Sequence, residues 1–172
     1  MFQLPHLKEE VILDALVTYP LDLNFNSAVV AICAHYVPVF IIADHAPGTY
    51  KQLKTHLDSG ATLVVAHDGS NSTIFASPSV NFAFRAWHDW CHWNGDFDFS
   101  LYGESATCCL QISQMYSFYG VTPNTNRWAQ YLTAEIVGQR RYYEKYREYI
   151  YDQRAFCDAY LADQVKSLDK KW

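Results

Sequence analysis

His88 and His92 stand four residues apart in the stretch FRAWHDWCHWNGDFDFSLYGE, residues 84–104. On an α-helix that interval places both imidazoles on one face, one turn apart, where a single metal ion can take a nitrogen from each. Such an ion needs further donors. Two carboxylates are placed to supply one. Glu104 opens the next segment of helical periodicity, and Glu135 lies in the one after it, with Gln139 a turn later on the same face. Two histidines and one carboxylate make either a catalytic zinc site or a facial triad for non-haem iron, with manganese as a further option. The remaining glutamate, or Asp89, would then orient or deprotonate a metal-bound water. Arg85, one turn before Asp89, is placed to fix that carboxylate or to face a substrate anion.

Position depends on the elements that carry these residues. Periodicity predicts a short amphipathic helix over 7–19, stopped by Pro20. A buried helix is expected over 26–36, capped by Asn26 or Ser27 and ended by Pro38, then a buried strand over 39–44. A helix over 48–60 ends at Gly60, and TLVVAH, DGSN and STIFAS read as a β-hairpin. Beyond Pro78 the pattern turns helical. Helices are expected over 79–93 and 104–120, with DFDFSLYG as the loop between them. The remainder reads as one long helix or two joined ones, with Thr125 or Asn126 as N-cap. Gly138 inside it implies close packing. The fold class is therefore α+β and mostly helical. A mixed α/β half (residues 1–78) with a small sheet or hairpin packs on a helical half (79–172) in a single domain. An antiparallel run of three helices would converge the candidate ligands, as bundle cores commonly do.

Composition bounds the partners. The chain has 172 residues, half of them hydrophobic and 16% aromatic, which gives ample material for a core rich in rings. A net charge of −5 without a basic stripe argues against nucleic-acid binding. The most apolar run, SAVVAICAHYVPVFIIA, is broken by His35 and Pro38 and does not read as a membrane span. Five cysteines without framework spacing, and no signal-peptide pattern in MFQLPHLKEE, predict free thiols in a cytoplasmic protein. Cys91, Cys108 and Cys109 read as small hydrophobes before they read as ligands. The tyrosine-rich run over 140–156 has mixed charge and suits helix packing, with Tyr142 and Tyr146 continuing the Glu135 face. The C-terminal helix with Trp172 is a candidate element for a homo-oligomer.

His-Asp-Trp-Cys-His resembles the His-Glu-x-x-His motif of zinc peptidases, with aspartate where that family carries its general base. The resemblance covers five residues and implies metal binding more than peptidase activity. His35, His67, Asp68 and Asp152 follow the residue order of HD-domain phosphohydrolases, but VVAHDGSNST reads as strand and turn where that family has a helix. The combination of NFAFRAWHDWCH, YGE, AEIVGQRRYY and DQRAFC resembles small proteins encoded by tailed bacteriophages, over residues 79–157. That resemblance implies action in the cytoplasm of an infected bacterium and no particular activity. Two functions follow as expectations. The first is a metal-dependent enzyme, by default a hydrolase of a small-molecule or peptide substrate, with an iron oxidase or oxygenase using the same ligands as its variant. The second is a non-catalytic accessory protein that binds a host or virion protein through its aromatic surface.

Overall fold

The computed structural model describes residues 22–68 and 73–172. The helix expected over 7–19 lies outside the described residues.

Helix α1 (Leu23–Tyr36) starts three residues before the expected boundary, because Asp22 caps it by accepting from the backbone N–H groups of Asn24 and Phe25. Asn26 serves a different purpose. It is buried and its side-chain oxygen accepts from Ala76 N–H at 2.7 Å, tying α1 to the segment before the next long helix. Val37 turns the chain extended ahead of Pro38, as the proline ring requires of its predecessor.

Strand β1 (Phe40–Ala43) is followed by helix α2 (Tyr50–Asp58), which opens on a Thr49/Gln52 capping box, and by strand β2 (Leu63–Ala66). The two strands pair in parallel, from Phe40 opposite Leu63 to Ala43 opposite Ala66. The expected hairpin is therefore corrected. β2 pairs back across α2 with β1, and residues 73–77 form bends that deliver the chain to the next helix. The physical reason is that residues 44–62 provide the long connection that parallel pairing needs.

Helix α3 (Pro78–Gly95) begins on a Ser77 cap with proline in its first turn, and its C-terminal residue is followed by Asp96 in the left-handed region, φ 54°. A loop of four residues after Asp96 leads to helix α4 (Leu101–Tyr119), capped by Ser100 and stopped at Gly120, whose φ of 77° suits a residue without a Cβ. The loop is shorter than expected because Ser100 recruits Leu101–Gly103 into the helix. Gly103 is required there, since a Cβ would run into the Asp98 carbonyl.

The last third is corrected in its caps. Thr122, with Pro123 in the first turn, starts helix α5 (Pro123–Thr133), and Thr125 completes its capping box. A π-helical turn (Ala134–Gly138) follows without a break, then helix α6 (Gln139–Tyr146). Arg147 ends it at φ 56°, and α7 (Gln153–Ala162) and α8 (Gln164–Ser167) complete the chain. Close packing at Gly138 holds: a Cβ there would lie 3.0 Å from Tyr160 Cε2 and 3.1 Å from Phe156 Cε1. One apolar core joins both halves, from Phe25, Ile32, Leu53 and Leu63 through Trp87 and Met115 to Tyr131, Leu132 and Phe156. The architecture is α+β, mostly helical, with the small sheet packed on helices. Among the described residues no helix is long and apolar enough to cross a membrane.

Candidate metal centre

Helices α3 and α4 pack against each other across the loop that joins them. His88 and His92 project from α3, and Glu104 reaches them from the first turn of α4. His88 Nε2 lies 3.0 Å from His92 Nε2, and Glu104 Oε2 lies 3.2 Å from the first and 3.3 Å from the second. Three donor atoms thus form a nearly equilateral triangle. Ligands around one tetrahedral zinc at ~2.0–2.1 Å sit ~3.3 Å apart. Among the described residues this is the one group of three such side chains whose donor atoms converge.

The opposite edges of both rings are held by oxygen. His92 Nδ1 donates to the Phe97 carbonyl at 2.9 Å, with the Thr107 hydroxyl 3.1 Å away. His88 Nδ1 donates to Gln111 Oε1 at 3.0 Å. A proton fixed on Nδ1 leaves the Nε2 lone pair of a neutral ring aimed at the triangle's centre, which is how protein metal ligands are commonly oriented. Phe84 stacks on His88, and Phe99 meets His92 edge-on, so the rings cannot swing away. His92 is fully buried, whereas the side chains of His88 and Glu104 keep 17% and 14% exposure.

Without an ion, the three groups compete for protons. Burial pushes the His88 imidazole down, but hydrogen bonding and charge from Glu104 outweigh it and raise the pKa to about 9. Burial likewise raises Glu104, and the two imidazoles overcome it, holding the carboxyl well below the usual carboxylate range. The result is a carboxylate with a positively charged partner that a divalent cation can replace.

The other expected residues separate. Glu135 sits in the π-helical turn, apart from the triangle. Its Oε2 is buried without a partner, and burial lifts its carboxyl to about 7 against the pull of Gln139 and the charge of His88. Gln139 lies beside it and leaves its Nε2 unpartnered. Asp89 is half-buried and takes no hydrogen bond among the described residues. Burial raises its carboxyl, opposed by the charges of His88, His92 and Arg85. Arg85 does not ion-pair with Asp89. Its Nη1 donates to the carbonyls of Ala66 and Asp68, at 2.8 and 2.7 Å, beyond the end of β2. Tyr142 and Tyr146 do not approach the centre. Their hydroxyls bond Trp172 N–H and the Leu168 carbonyl. Cys91 bonds Gln114, and burial raises the Cys91 and Cys108 thiols to about 12, the state of inert core cysteines. His67 and Asp68 follow β2 in a turn, with no helix to carry them.

Sequence reasoning missed Gln111, Thr107 and the Phe97 carbonyl. A signal for two of them was present: Thr107 and Gln111 fall three and seven residues after Glu104, polar positions on an otherwise buried helix face. No family model, curated protein or solved structure matches the chain.

Proposed function

We propose that the protein is a metal-dependent hydrolase whose ion is held by His88, His92 and Glu104. The observation that carries this reading is the donor triangle with both Nδ1 atoms engaged by oxygens. Structural zinc sites close with four protein ligands, whereas catalytic sites keep three and leave a position open. Three donors, with residual exposure at His88 and Glu104, fit the second arrangement. An ion there supplies Lewis acidity and lowers the pKa of a bound water.

The chain's own groups supply the rest. Asp89 feels the charges of His88 and His92 and takes no hydrogen bond among the described residues, and it would be the proton acceptor for the attacking water. Glu104 is the ligand among the two glutamates, because Glu135 stands outside the triangle. The surface hollow lined by Cys109, Ile112, Ser113, Tyr116 and Ser117 includes none of these residues, and substrate would reach the ion where the His88 and Glu104 side chains keep their residual exposure. The resemblance to tailed-phage proteins would set this activity in the cytoplasm of an infected bacterium.

Metal content of protein purified without a His tag tests the reading. One zinc, iron or manganese per chain, absent from the folded His88→Ala/His92→Ala variant, supports it, and the metal found separates hydrolysis from oxidation. Metal-free protein whose stability is unchanged by micromolar metal or by chelator would refute it.

A further inference from the structure

Arg85 and Asp89 are one turn apart on α3, a spacing at which opposite charges ordinarily pair. Here they do not. The guanidinium is drawn to the carboxyl end of β2, where Nη1 alone serves the Ala66 and Asp68 carbonyls. Nε and Nη2 meet no protein acceptor, and no carboxylate lies within ion-pair distance of Arg85, among the described residues. A half-buried guanidinium without an anionic partner is costly unless something charged completes it. Its position is specific. Arg85 precedes His88 by three residues and His92 by seven, so it shares the helix face of the donor triangle, about 4.5 Å before His88 along the helix axis.

We infer that Arg85 is the anion-binding residue of the centre, and that the substrate is a small molecule carrying a phosphate-like oxyanion held between the ion and this guanidinium. The inference rests on the hydrolase reading above and adds the substrate class to it. The geometry favours it in three ways. The two carbonyls fix one edge of the guanidinium, so its remaining N–H groups are preorganised. A planar fork with free donors matches the oxygens of a phosphate. Arg85 and the two histidines stand on one face of α3, and the guanidinium ends at the carboxyl end of β2, so the anion would lie along α3 between the donor triangle and that edge. Asp89 stays outside this pairing and keeps its carboxylate for the proton.

The test uses inorganic phosphate as probe and calorimetry as readout. Untagged full-length protein is loaded with zinc and desalted, and its zinc content is measured first. Phosphate is then titrated into wild type, Arg85→Gln and Arg85→Lys, with acetate as the comparison anion. Phosphate binding should weaken about 10- to 100-fold in Arg85→Gln at unchanged zinc content, the scale of a lost charge-assisted hydrogen bond. Arg85→Lys should fall between, and the zinc-free His88→Ala/His92→Ala protein should bind phosphate no better than about that residual level. Equal phosphate affinity in Arg85→Gln and wild type overturns the inference while leaving the metal centre intact. If Arg85→Gln fails to fold because the β2 carbonyls lose their donor, wild-type affinity in Arg85→Lys does the same. Tighter binding of acetate than phosphate, or no phosphate binding to zinc-loaded wild type, overturns the substrate class. A protein that takes up no zinc removes the hydrolase reading and this inference together.

Discussion

The Nε2 atoms of His88 and His92 face each other at 3.0 Å, while each ring's Nδ1 is held by an oxygen from outside α3. Two neutral imidazoles so fixed would point lone pairs at one another. Such an arrangement is stable only with a proton or a cation between them and the Glu104 carboxylate. In the metal-free protein the proton fills this role, and the raised His88 pKa is its signature.

Metal binding should therefore release a proton. At pH 7 the His88 ring, with its pKa near 9, is protonated, and an ion must displace that proton to reach Nε2. Affinity is expected to rise with pH until about 9 and then level off. Calorimetric titration in buffers of different ionisation enthalpy checks this, with close to one proton released per ion at pH 7 and fewer at pH 10.

The two glutamates should behave differently. Glu104→Gln removes a donor from the triangle and should lower metal stoichiometry in dialysed protein well below one. Glu135→Gln lies outside it and should leave stoichiometry unchanged. Relative to wild type it should also gain stability as pH rises from about 4.5 to about 7 and keep that gain above, because burial lifts the folded Glu135 carboxyl to about 7 while the unfolded chain ionises first. Thermal melts across about pH 4–8 read that second effect.

Gln111→Leu deletes the acceptor that orients His88 without touching a ligand. A loss of about 10- to 100-fold in metal affinity is expected, with the fold kept. Competition against a chromogenic chelator measures it. An affinity equal to wild type would mean that Phe84 packing alone holds the ring.

Gly103→Ala should destabilise the protein by roughly 1–3 kcal/mol, the cost of overpacking a tight contact. A Cβ there would collide with the Asp98 backbone carbonyl, and the loop cannot retreat without moving Ser100 and the start of α4. Because Glu104 is the next residue, metal affinity should fall as well. Chemical denaturation with and without metal separates the two effects.

Much of this arrangement was legible in the chain. The spacing of His88 and His92 and the helix start near Glu104 are local signals, and local signals survive folding. The choice between Glu104 and Glu135 was not legible, because it depends on how α4 and the π-helical turn meet α3. Nothing in AEIVG marks a widened turn in advance. The hairpin failed for a similar reason: β2 is a strand by composition, but its partner lies across α2, and pattern alone does not report partners. Helical spacing left Arg85 to pair with Asp89 or to face a substrate anion, and the Ala66 and Asp68 carbonyls that hold it away from Asp89 are a tertiary contact invisible along one helix.

X-ray absorption on the metal-loaded protein tests the central claim most directly. One ion per chain is expected, bound by two imidazoles and by oxygen, with both imidazole signals lost in His88→Ala/His92→Ala. Sulfur bound to the ion, an ion ligated by oxygen alone, or an unchanged spectrum in the double variant would contradict the proposed centre.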